Sequence, residues 1–276
     1  MTSIKKELEE YGLTPRKGWG QHFLVDRNIL NKVIHTGEIG EEDVVLEIGP
    51  GLGEMTLGLA RQAKRVITIE IDRKLVEILR SKTRSHPNVE VLQGDVLKID
   101  FSQLLEKHVC PLKVVANLPY QISTPLLFRL IESRRLFSAL TLMVQKEVAQ
   151  RMVAAPGQKD YGPLTIFVQT AAHCAIRFFV KPSAFYPPPK VDSAVIHITW
   201  RKKPLVEEQE EEWFKRVVKG ALGYRRKTLY NALKHSAIPL PEDAERGMEA
   251  IGIDPGRRPE TLTIEEFAIL AKALGP

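Results

Sequence analysis

Five short apolar runs recur through the first half of the chain, separated by amphipathic segments of helix length. They are VVLEI from 44, RVITIEI from 65, NVEVLQ from 88, KVVAN from 113 and ALTLMVQ from 139. Runs with so little polar alternation belong to strands covered on both faces, and strands joined by helix-length crossovers lie parallel. The spacing therefore predicts βαβ units around a buried parallel sheet. Two later runs, HCAIRFFV from 173 and SAVIHITW from 193, are joined by KPSAFYPPPKVD, which is too rich in proline for a regular element. With no helix between them, they are expected to pair as an antiparallel edge, giving an α/β sheet of seven strands. After Trp200 and the following RKKP the strand pattern stops. EEWFKRVVKGAL and IEEFAILAKAL are amphipathic helical stretches. Two domains are expected: a sheet domain over 1–203 and a small all-α domain over 204–276.

The first run leads into LEIGPGLGEMT. Gly49, Gly51 and Gly53 allow a tight turn and close backbone approach to a ligand. Glu70 follows Gly49 by 21 positions, near the end of the second strand. A carboxylate there can accept both hydroxyls of a ribose, so the expected ligand contains a nucleoside. A dinucleotide is disfavoured, because Pro50 removes an amide from the loop and Glu54, at the helix start, would repel a pyrophosphate. S-adenosylmethionine has no phosphate and carries cationic sulfonium and ammonium groups, which this loop would tolerate. Asp95, after the third strand, could accept from the adenine amine. The bland alternative is a strand-to-helix turn with a solvated acid. It accounts for the glycines alone, but less well for three such features on consecutive strand ends.

The fourth strand ends in NLPY, at the sheet edge where open α/β folds bind ligands. If the methyl acceptor is an exocyclic amine on a planar base, its lone pair is delocalised into the ring. Hydrogen bonds from that amine to the Asn117 side-chain oxygen and the Leu118 carbonyl would favour pyramidal geometry and localise the pair. Pro119 stiffens this presentation, and Tyr120 can stack on a base taken out of its helix. Phe185, beside three prolines, is expected to hold the other face of the base. The competing reading is an ordinary turn with Tyr120 and Phe185 as packing.

Charge adds a partner class. The net charge is +6, and the stretch from Trp213 to Leu240 holds seven Lys/Arg and no acid, just after EEQEEE with its five glutamates. Lys215, Arg216, Lys219, Arg225, Arg226 and Lys227 are expected to grip RNA phosphates, the last three fanning across a wide arc if helical; the alternative is a solvated face. Two distant cysteines, Cys110 and Cys174, argue against a disulfide and suit a reducing cytoplasm. The remaining histidines form no ligand spacing, so no metal is expected. No apolar stretch reaches 18 residues, so no membrane span is expected.

Taken together, GQHFL at 20, LEIGPGLGEMT at 46, IEID at 69, GDV at 94, NLPY at 117 and FYPPPKVDS at 185 resemble the ribosomal RNA adenine dimethyltransferases. GYRRKTLYN at 223 and RRPETLTIEEF at 257 resemble the bacterial small-subunit branch of that family. The resemblance implies a Rossmann-like class I methyltransferase sheet, with the last strand antiparallel, and a helical RNA-binding domain. It also implies dimethylation at N6 of two adjacent adenosines near the 3′ end of small-subunit rRNA, on an immature small subunit, by a cytoplasmic monomer. Carried over residue by residue, the cofactor site holds His22, Leu24, Gly49, Gly51, Glu70, Asp95 and Asn117. Many relatives have Asn where this chain has His22. The antibiotic-resistance branch, which modifies a large-subunit adenosine, is the nearest rival and is opposed by the C-terminal RRK and RRPE. A non-catalytic assembly factor is opposed by the intact Glu70, Asp95, Asn117 and Tyr120.

Overall fold

The computed structural model describes residues 4–106, 111–224 and 226–275. Cys110 and Arg225 lie outside the described residues. The strands are β1 Phe23–Leu24, β2 Val44–Ile48, β3 Arg65–Glu70, β4 Val89–Gln93, β5 Leu112–Asn117, β6 Phe137–Gln145, β7 Ala172–Val180, β8 Phe185–Tyr186 and β9 Ser193–Trp200. Seven of them form one sheet in the order β4-β3-β2-β5-β6-β9-β7, while β1 and β8 make a separate antiparallel ribbon. The strands from β4 to β6 are parallel, and β9 runs antiparallel to β6 with Leu142 opposite Ile196. The seven-stranded sheet and its reversed last strand agree with the sequence expectation.

All five residues of β2 are buried, as a strand flanked on both sides and covered on both faces must be. The helices that cover the sheet start where their sequences signal. Asp26 accepts from the Asn28 and Ile29 amides to cap Arg27–Thr36, which turns Leu30, Val33 and Ile34 into the core. Asp72 caps Arg73–Lys82 in the same way through the Lys74 amide. Strand order reverses between β2 and β5, so their carboxyl ends open a crevice at the position where such sheets bind ligands.

Two compact units emerge, but not from one cut after residue 203. One holds residues 1–149 and 175–199; the other holds 150–174 and 200–276. The second unit draws in 150–174 through burial and hydrogen bonding that sequence periodicity does not reveal. Tyr161 is buried and donates to the Leu262 carbonyl at 2.7 Å, and the Phe167 ring meets Phe214 edge-on. Around them pack Phe214, Val217 and Val218 of helix Glu211–Leu222 and Phe267 and Leu270 of helix Ile264–Ala273. The second helix opens on a capping box formed by Thr263 and Glu266. The basic run does not continue the first helix. Gly223 ends that helix, and Thr228 is the cap of the next, Leu229–His235. Arg226 and Lys227 therefore lie in a turn rather than fanning around a helix. No helix among the described residues is long and apolar enough to cross a membrane.

Candidate active site

Above the carboxyl ends of β2, β3 and β5 lies a cavity of about 240 Å³. Its walls include His22, Leu24, Gly49, Gly51, Glu70, Asp95, Asn117, Leu118, Pro119 and Tyr120. Of the residues expected at the small-molecule and catalytic site, only Phe185 is missing from that wall.

The glycine loop forms the floor. Gly49, Gly51 and Gly53 all adopt left-handed φ, at 68°, 57° and 85°. At Gly53 that φ favours glycine, and an added Cβ would fall 2.3 Å from the tip of the Leu79 side chain, which would have to shift. Glu70, only 5% exposed, closes one side. Its Oε2 accepts from the Gly51 amide at 3.2 Å and its Oε1 from the Asp72 amide at 2.9 Å. Burial raises its pKa, and these amides oppose the rise. Asp95 is fixed by the Leu97 amide on Oδ1 at 3.0 Å, and Arg129 braces the loop by donating to the Val96 and Ile99 carbonyls. Glu54, expected to repel phosphate, is partly balanced by Lys82 at 3.2 Å and Arg27 at 4.0 Å.

Three sequence motifs meet at His22. Asn117 Nδ2 donates to the His22 carbonyl at 3.0 Å across 95 residues of chain. The His22 ring donates from Nδ1 to the Pro187 carbonyl at 2.7 Å across 165 residues, since a carbonyl can only accept. The same ring lies 5.4 Å from Tyr120, tilted by 33°. Tyr120 is anchored at its far end by its hydroxyl on Ser193 Oγ, and burial raises the pKa of that hydroxyl. Because the amide nitrogen of Asn117 is committed to His22, its Oδ1 remains as an acceptor with no donor among the described residues. Leu118 is buried, and its amide extends the ladder to the Met143 carbonyl, which holds the NLPY backbone rigidly at the strand end.

Phe185 departs from expectation. It is 3% exposed and belongs to a core cluster with Leu30, Val33, Ile34, Met55 and Val195. The β1–β8 ribbon places it opposite Leu24, and it sits in the core behind the cavity wall that Leu24, Leu30 and Met55 form. The ring is thus buried and is not part of the cavity lining, where the sequence led one to expect it exposed to a base.

Glu47 was not picked out from sequence, although a charged residue in the middle of VVLEI was the signal to notice. It is fully buried under the loop and lines the cavity. Oε2 takes the Thr56 hydroxyl at 2.6 Å, while Oε1 has no partner among the described residues. Burial pushes its pKa up to about 8, with Glu70 adding repulsion. The folded state therefore holds a proton that the unfolded chain releases near 4.5. Wild-type stability should fall as pH rises from about 4.5 to about 8, by up to about 5 kcal/mol at roughly 1.4 kcal/mol per pH unit. Glu47→Gln cannot ionise and should lack this loss. Urea midpoints at pH 5, 7 and 9 should show the variant gaining on wild type with each step. A constant difference would mean that Glu47 does not titrate in this range.

The sheet order, the nucleoside-type loop and the carboxylates on successive strand ends define a Rossmann-like class I methyltransferase. The sequence matches the ribosomal RNA adenine dimethylase family over residues 12–274, and the chain belongs to that family. It is 45% identical over 265 residues to a "Ribosomal RNA small subunit methyltransferase A" of Geobacter metallireducens, covering 95% of this chain and 96% of that one. It is 46% identical to the protein of the same name from Moorella thermoacetica, covering 97% and 95%. Among solved structures, a dimethyladenosine transferase from Plasmodium falciparum superposes with a TM-score of 0.79 at 30% identity, covering 90% of this chain and 96% of that one. The 23S rRNA methyltransferase ErmE gives 0.69 at 27%, covering 91% and 99%.

Proposed function

We infer that this protein dimethylates N6 of two adjacent adenosines near the 3′ end of small-subunit rRNA, using S-adenosylmethionine. The observation that carries the reading is Asn117: an amide at a strand end, lining the cavity above the glycine loop, with its nitrogen committed and its oxygen left to accept. The donor set suits the cofactor. Glu70, held by two backbone amides, would accept the ribose hydroxyls, Asp95 would accept from the adenine amine, and the Glu47 Oε1, unpartnered among the described residues, would accept from a further donor on the ligand. When bound, the cofactor supplies an electrophilic methyl group on a sulfonium. The protein's part is to orient the amine. Asn117 Oδ1 and the Leu118 carbonyl would accept the amine's hydrogens, one remaining in the second round, and Tyr120 would hold the ring plane. The nitrogen would gain the methyl group as its bond to sulfur breaks, S-adenosylhomocysteine would leave, and one amine proton per round would pass to water.

Small-subunit over large-subunit rRNA follows from the curated relatives at 45–46% identity, against 27% for the 23S enzyme. We assign phosphate contacts to the C-terminal unit through Lys215, Arg216, Lys219, Arg226 and Lys227. Arg216 and Lys219 are exposed, Arg216 lies over Trp213, Lys215 bonds Glu212, and Lys227 bonds His235. The immature small subunit is the expected substrate particle, and a cytoplasmic monomer the expected working form.

Mass spectrometry of small-subunit rRNA, after incubation with the protein and labelled cofactor, tests the reaction. N6-dimethyladenosine at an adjacent pair is expected; label confined to large-subunit rRNA would overturn the substrate. Glu70→Ala should weaken S-adenosylmethionine binding by roughly 10- to 150-fold, because a charge-assisted bond worth roughly 1.5–3 kcal/mol is lost. Unchanged affinity by calorimetry, in a variant that keeps its thermal midpoint, would remove Glu70 from the ribose site.

A further inference from the structure

Beside the site lies a surface that none of these roles uses. The edge strand β7 alternates so that His173, Ala175, Arg177 and Phe179 are its exposed residues. Phe179 is 51% exposed, which is unusual for a phenylalanine on a charged surface. Lys146 Nζ stands 5.2 Å from the centre of its ring. Two residues on, Lys181 reaches Asp192 at 2.9 Å, and Val191 and Lys190 are exposed beside it, Val191 at 45%. Arg177, Lys146, Lys181 and Lys190 thus outnumber the nearby acids, Asp192 and Glu147. The patch is tied to Tyr120 by a short series of contacts: the Tyr120 hydroxyl meets Ser193, Ser193 follows Asp192, and the Asp192 carbonyl accepts from the Lys146 amide at 2.9 Å.

We propose that Phe179 is a stacking platform for the nucleotide flanking the target adenosine, with Lys146 and Lys181 holding the adjoining phosphates. The proposal rests on the rRNA methyl-transfer reading. Extruding one base leaves its neighbour with an uncovered face, and an exposed aromatic ring amid cations offers that face a new partner. A solitary exposed phenylalanine needs no explanation. One with a lysine over its ring, basic neighbours and a link through Lys146, Asp192 and Ser193 to the stacking tyrosine fits single-stranded RNA better than an apolar protein partner.

The test compares full-length wild type, Phe179→Ala and Phe179→Trp. The probe is a single-stranded RNA containing the adjacent adenosines, with 2-aminopurine at the flanking position. Wild type should quench the probe on binding. Phe179→Ala should lose the quench and about 5- to 150-fold in RNA affinity, Phe179→Trp should retain both, and S-adenosylmethionine affinity should stay constant across the three. Phe179→Ala quenching and binding like wild type would overturn the proposal, as would equal losses in Phe179→Trp, since the ring would then be irrelevant. If wild type fails to methylate rRNA, the functional reading itself is at fault; a wild type that methylates alongside an indistinguishable Phe179→Ala sinks the platform alone.

Discussion

Asn117→Ala is expected to slow methyl transfer by about 10²–10³-fold in single-turnover kinetics, with RNA affinity changed little. The size follows from other preorganised hydrogen-bonding groups aimed at a transition state. The kinetic pattern follows from timing: the amine becomes pyramidal only as it attacks, so the Asn117 acceptor bond strengthens along the reaction and appears in the rate rather than in binding. A complication is that alanine also drops the bond from Nδ2 to the His22 carbonyl, which ties NLPY to the GQHFL segment. Asn117→Asp separates the two effects. It restores an acceptor for the amine but sets a carboxylate against the His22 carbonyl, so a partial recovery of rate is expected. Asn117→Ala turning over within threefold of wild type, in a folded variant, would leave the amine without its orienting acceptor and sink that assignment.

The local parts of this site were legible in the sequence because each sits at the end of a strand whose apolar run gives it away. VVLEI, RVITIEI and KVVAN locate β2, β3 and β5, and Gly49 just after the first, with Glu70 and Asn117 as the last residues of the other two, falls on the ligand edge once the sheet is parallel. What stayed hidden depends on contacts between distant segments. The β1–β8 ribbon has two residues per strand, too short for any periodicity, yet it decides where Phe185 points. The link from His22 to Pro187 crosses 165 residues and leaves no pattern in either segment. Residues 150–174 read as a continuation of the sheet domain because nothing local reveals that Tyr161 is buried against Leu262. The break between helices Glu211–Leu222 and Leu229–His235 stayed hidden for the opposite reason: a strong helical pattern on both sides concealed the glycine stop at Gly223.

Phe185 now carries a different prediction from the one its motif suggests. Its ring fills a cluster shared by helix Arg27–Thr36, the sheet and helix Glu54–Ala60. Phe185→Ala should therefore lower stability by about 3–5 kcal/mol, the usual cost of removing a buried ring. At roughly 2–4 °C per kcal/mol for domains of 150–250 residues, the thermal midpoint should fall well outside experimental scatter. Loss of methylation in that variant would not distinguish packing from stacking on a base, because the ribbon that it supports also carries Leu24 to the cavity wall. Phe185→Leu does distinguish them. Leucine keeps most of the buried volume but offers no π-face, so a packing role predicts recovery of most of the midpoint and of the methylation rate together. A Phe185→Leu protein that melts near wild type yet transfers methyl groups at least tenfold more slowly would put the ring back against the base.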